Sequence, residues 1–70
     1  MREVRFHREL YRGEAVDEAV KTLAPYATFS LVEETTHWLV RIEAATQARE
    51  RKVSLELQNH ALGLTMRARG

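Results

Sequence analysis

Cysteine is absent from the 70 residues of this chain, and proline and glycine are scarce, with one and three copies. Without cysteine the chain has no disulfide, no thiolate zinc site and no cysteine nucleophile. The glycines are isolated from one another, so they form no glycine-rich phosphate loop. No apolar run is long enough for a signal peptide or a membrane span, and we therefore expect a cytoplasmic protein without membrane contact.

A strong excess of positive charge is also missing, since the formal net charge is +1 at pH 7. Dedicated nucleic-acid binders usually carry a basic excess on one face, so this balance disfavours nucleic acid as the main partner. The composition, 44% hydrophobic and 30% charged, is typical of a folded chain. Its length predicts a single domain, residues 1–70.

Side chains that carry chemistry are not grouped in the sequence. The three histidines, His7, His37 and His60, fall on different predicted elements and lack the close spacing of metal ligands. The adjacent carboxylates Glu33 and Glu34 fall in a predicted hairpin, where exposure to solvent makes them poor candidates for acid–base catalysis. We therefore expect no catalytic residue, no metal site and no bound cofactor, and a chain that is not an enzyme on its own.

The first half of the chain predicts a strand followed by a helix. Val4 and Phe6 alternate with polar residues, which is the period of a half-buried strand. A helix over about 13–24 is indicated by one apolar stripe, formed by Val16, Ala19, Val20 and Leu23. Tyr11 is spaced to pack on this helix as a hydrophobic staple. Pro25 should end the helix, because proline cannot continue its hydrogen-bond ladder.

Two strands and a second helix are predicted after Pro25. Alternating apolar residues indicate strands over 28–33 and 38–44, joined by a polar hairpin loop. Thr46 is a candidate N-cap for a helix over about 47–66. The alternation over 53–57 also fits a strand, but the apolar pattern continues to Met66, too far for one ordinary strand.

This β-α-β-β-α order predicts an α+β fold. The first helix requires a right-handed crossover between parallel first and second strands. The third strand can then pair antiparallel between them, giving the spatial order 1-3-2 with both helices on one face. The arrangement is a truncated ferredoxin-like fold that lacks the last strand.

Two surfaces remain uncovered in this fold. The sheet surface opposite the helices, here called the open face, should carry Arg5, His7, Thr28, Ser30, Val32, Leu39, Arg41 and Glu43. Its mixture of Val32 and Leu39 with arginines, including Arg5 and Arg41, is typical of a protein-contact patch. The same arginines could line an RNA-binding sheet, although no aromatic residue for base stacking is predicted there.

The second helix carries two apolar stripes. One, the inner stripe, can cover the sheet and consists of Val53, Leu57, Ala61 and Leu64. The other, the outer stripe, lies nearly opposite and consists of Leu55, Leu62 and Met66. One helix on a small sheet cannot bury both, so we expect the outer stripe to dock on a protein partner or on a second copy in a homodimer. Cover from the first helix or the tail is the alternative.

The order of these features resembles the small D protein of the His-Xaa-Ser systems, whose members accompany radical-SAM enzymes. Five pattern-matching positions carry the resemblance, together with the Leu-x-Asn motif of the second helix: Phe6, Tyr11, Leu57, Asn59 and Arg67. The resemblance implies an accessory role in peptide or protein modification, with a radical-SAM maturase or its substrate peptide as partner. The iron–sulfur cluster and S-adenosylmethionine would belong to that partner, because this chain has no cysteine.

The sequence thus predicts a non-catalytic, protein-binding accessory module. A self-associating structural domain and an RNA-binding ferredoxin-like module are the alternatives.

Overall fold

The computed structural model describes residues 1–69, the last of them through its backbone alone. The chain folds in the order β1 (Arg2–His7), α1 (Gly13–Leu23), a short 3₁₀ helix (Ala24–Tyr26), β2 (Thr28–Glu33), β3 (His37–Glu43) and α2 (Gln47–Arg69). The predicted β-α-β-β-α order is therefore confirmed.

The sheet has three strands in the order β1-β3-β2, as predicted. Both β1 and β2 pair antiparallel with β3, so they run parallel to each other. Between β2 and β3, the amide of Glu34 donates a hydrogen bond to the carbonyl of His37 over 2.9 Å, which closes a tight hairpin. His37, predicted in the loop, consequently opens strand β3.

Helix α1 forms where the apolar stripe predicts it and ends one residue earlier than predicted. The 3₁₀ helix that follows contains Pro25, which has no amide hydrogen for a continued α-helical ladder. On its solvent side, Lys21 lies 2.9 Å from Asp17 one turn earlier. The hydrogen bond and the charge of Asp17 raise the pKa of Lys21.

Helix α2 confirms the helical interpretation of residues 53–57 over the strand alternative, and it continues three residues past the predicted end. At its start, the hydroxyl of Thr46 accepts a hydrogen bond from the amide of Arg49 over 3.1 Å, the geometry of an N-cap. The buried Glu50 accepts another from the amide of Ala44 over 3.2 Å. These bonds fix where α2 leaves β3.

The core lies between the sheet and the two helices, which pack on the same sheet face. Its buried members come from four elements: Phe6, Val16, Ala19, Leu23, Val40, Ile42, Val53, Leu57 and Ala61. Trp38 packs against this cluster from the end of the sheet, and its indole nitrogen donates to the carbonyl of Tyr11 over 3.3 Å. The inner stripe of α2 therefore faces the core, and the outer stripe faces away from it.

Candidate docking surface

Helix α2 presents its two apolar stripes to different surroundings. In the inner stripe, Val53, Leu57 and Ala61 are buried, and Leu64 is half-buried. The outer stripe is exposed: Leu55 by 53%, Leu62 by 45% and Met66 by 63% of the residue's reference area. Neither α1 nor the end of the chain as far as residue 68 covers it. The outer stripe is therefore apolar surface that the described part of the chain leaves exposed.

The position of the outer stripe follows from helix geometry. Successive residues turn by about 100°, so Leu55, Leu62 and Met66 fall within one sector of the helix surface. Leu57, a fully buried residue of the inner stripe, points in nearly the opposite direction. A partner can therefore contact the outer stripe without displacing the core.

The open face of the sheet has the predicted residues but a different character. Arg41 lies 3.0 Å from the carboxylate of Glu3, and Arg5 lies 3.3 Å from that of Glu34. Glu3 also approaches Arg5 at 4.0 Å. Both arginines are thus neutralised by carboxylates of the same chain, which reduces the attraction of this face for phosphate groups.

Leu39 was predicted to be available for contact with a partner, but the structure shows that it is buried. It lies on the open face, yet only 3% of it is exposed. The reason is its place in the central strand, paired with Arg5 on one side and Val32 on the other. Arginine side chains cover apolar neighbours with their aliphatic stems. Leu39 is thus a packing residue, and Val32 beside it is half-buried.

The structure also joins two histidines that the sequence kept apart. His7 and His37 are paired across β1 and β3, with ring centroids 4.8 Å apart. The Nδ1 atom of His7 accepts a hydrogen bond from the amide of Glu9, and that of His37 is 2.7 Å from the hydroxyl of Thr36. Among the described residues, no cluster of three metal-ligating side chains exists. Predicting this pair requires the register between β1 and β3, which cannot be read from the sequence alone.

The five positions of the family pattern divide into two kinds. Phe6 and Leu57 are buried in the core, and the Tyr11 ring meets the Phe6 ring edge-on at 4.9 Å. Asn59 and Arg67 are exposed on α2. The first three positions therefore serve packing, while the last two are available for contact.

A groove of about 510 Å³ runs between the end of α1 and the first turns of α2. Its walls are both apolar and charged, and include Leu23, Tyr26, Arg49, Lys52 and Glu56. Lys52 and Glu56 stand on α2 between this groove and the outer stripe. The groove is therefore a lateral extension of the same helix surface.

No helix in residues 1–69 combines the length and apolar character needed to cross a bilayer.

The chain was compared with family models, curated proteins and solved structures. No family model, no curated protein and no solved structure matches the chain.

Proposed function

We propose that this chain is a non-catalytic accessory module that binds another protein through the outer stripe of α2. The observation that carries the proposal is the exposure of Leu55, Leu62 and Met66, between 45% and 63%, on one face of a helix whose other face is buried. Fully burying a side chain of this size contributes about 1.5–3 kcal/mol. Covering all three is a substantial gain for a domain of this size.

The open face is the weaker candidate for the same role. Its two arginines are paired with carboxylates of the same chain, and its most apolar residue, Leu39, is already buried. Phe, Tyr and Trp side chains are absent from this face within the described chain, which also disfavours stacking of RNA bases. The outer stripe therefore remains the preferred contact surface.

The resemblance to the small D protein of the His-Xaa-Ser systems supports a specific partner. It points to a radical-SAM maturase or to its substrate peptide, which would place this chain in the cytoplasm beside that enzyme. The exposed Asn59 and Arg67, two positions of the family pattern, flank members of the outer stripe on α2. A maturase docked on this helix would meet both.

The test is binding of the purified chain to the radical-SAM enzyme encoded nearest to its gene and to a His-Xaa-Ser repeat peptide, by isothermal titration. We expect Leu62→Asp to abolish the binding, because it places a charge in the centre of the contact. Leu10→Asp is the matched control, since Leu10 is 59% exposed but lies outside α2. Equal binding by both variants and the parent chain would refute the proposal.

A further inference from the structure

The exposed face of α2 has the spacing of a coiled-coil interface. At intervals of four, three and four residues, this face carries Leu55, Asn59, Leu62 and Met66. In a heptad repeat these intervals correspond to alternating d and a positions, with both leucines at d. All four residues are exposed. The face therefore has the pattern required to pack against a second helix.

The heptad positions that point away from such an interface hold most of the buried residues of α2; the exception is Thr65, which is buried at a g position beside it. Glu50, Leu57 and Leu64 occupy position f; the first two are buried and the third is half-buried. Position f lies opposite the a and d positions on a helix. A second helix can therefore reach the outer stripe while the core stays intact.

Asn59 gains a physical role in this arrangement. It is a poor helix former in mid-helix, and its side chain makes no hydrogen bond within the described chain. A single asparagine at an a position fixes the register of parallel two-stranded coiled coils, since the amides of the two copies face each other. Asn59 is that single asparagine here.

The charges beside the outer stripe match a second copy of the same helix. Arg51 occupies a g position and Glu56 the following e position, and in a parallel pair these positions face each other between chains. Both residues are exposed, and neither forms an ion pair with the side chains of residues 1–68. Two symmetric Arg51–Glu56 pairs would form across the two-fold axis.

An antiparallel pair loses these matches. It places a positions against d positions, so Asn59 would face Leu62 of the other copy and its amide would be buried without a partner. Arg51 would be far from Glu56, because g positions then meet g positions. The parallel arrangement is the one that satisfies both features.

We infer that the occupant of the outer stripe is a second copy of this chain, paired through α2 in parallel. The inference rests on the proposed function, because it uses the same exposed stripe: the second copy occupies this stripe in the free chain, and a maturase that binds there would displace it. Lys52 stands at the preceding a position and ends the apolar contact, so the interface spans few heptads. The dimer is therefore reversible and forms at high protein concentration.

Sedimentation equilibrium across a range of concentrations tests the pairing. We expect a dimer whose dissociation constant rises about tenfold in Arg51→Glu, because two attractive pairs become repulsive. The double variant Arg51→Glu/Glu56→Arg should restore the parent value. A monomer at every concentration, or a double variant no better than the single one, would overturn the inference.

A cysteine introduced into this cysteine-free chain tests the orientation. In a parallel dimer, Met66→Cys places the new thiol of one chain next to the same thiol of the other chain. Mild oxidation should therefore give a disulfide-linked dimer. Arg67→Cys, one position off the interface, is the matched control and should stay monomeric under the same conditions. Equal cross-linking of both variants would contradict a parallel α2 pair.

The two proposals fail separately. If the chain is monomeric throughout while Leu62→Asp still abolishes binding to the maturase, self-pairing is wrong and protein binding through the outer stripe stands. If the parent chain dimerises and Leu62→Asp leaves maturase binding unchanged, self-pairing stands and the maturase is not bound at this stripe.

Discussion

The ring of Trp38 packs directly against the backbone of Gly13, which leaves no room for a side chain at position 13. A Cβ atom at Gly13 would lie 2.8 Å from Cζ2 of the Trp38 ring. The ring is held from other sides, because its nitrogen bonds to Tyr11 and the guanidinium of Arg8 lies 4.4 Å from its centroid. The start of α1 therefore fits against the sheet only without a side chain.

We expect Gly13→Ala to destabilise the protein by about 1–3 kcal/mol, the usual cost of overpacking, although alanine is the better helix former. The cost should fall in a Trp38→Phe background, since phenylalanine lacks the ring atoms that clash. Urea denaturation followed by circular dichroism measures both differences. A stabilised Gly13→Ala variant would show that α1 moves away from the sheet at little cost.

The elements, by contrast, follow closely from the sequence. Period-2 alternation predicts all three strands, and the length of the apolar pattern after Thr46 correctly predicts a helix over 53–57. Strand order follows from the handedness of the crossover through α1. These features are local or depend on chirality, which is why the sequence alone is sufficient for them.

Features that depend on how two strands are aligned could not be predicted in this way. The alternation of side chains along β3 predicts that Leu39 is exposed on the open face. Its neighbours on the flanking strands, Arg5 and Val32, bury it instead. The His7–His37 pair likewise exists only because β1 and β3 have one particular register. The helix period predicts that the outer stripe points away from the inner one, whereas its exposure also depends on the packing of α1 and of residues up to 68.

Leu39 and Leu62, both predicted as contact residues, should therefore behave differently when shortened. We expect Leu39→Ala to destabilise the monomer by about 2–5 kcal/mol, the range for a buried leucine. Leu62→Ala should change the stability of the dilute chain by less than about 0.5 kcal/mol. Fluorescence of Trp38, the only tryptophan, reports both unfolding transitions. Equal losses would mean that Leu62 is covered within one chain.

At the scale of the whole molecule, pairing through α2 links stability to concentration. A folded state that associates is stabilised by mass action, whereas the unfolded chain is not. We therefore expect the Tm of the parent chain to rise with protein concentration and that of Leu62→Asp to stay constant. Differential scanning calorimetry at several concentrations measures this, and a constant Tm for the parent chain would contradict self-association.

The strand order β1-β3-β2 has a consequence for synthesis of the chain. Residues of β1 pair with residues 30 to 40 positions later, from His7 with His37 to Arg2 with Ile42. The hairpin of β2 and β3 closes a much shorter loop, which costs less conformational entropy. During translation β1 and α1 are thus synthesised before the central strand. Until β3 is present, β1 has no strand to pair with, so we expect the sheet to be completed from its middle.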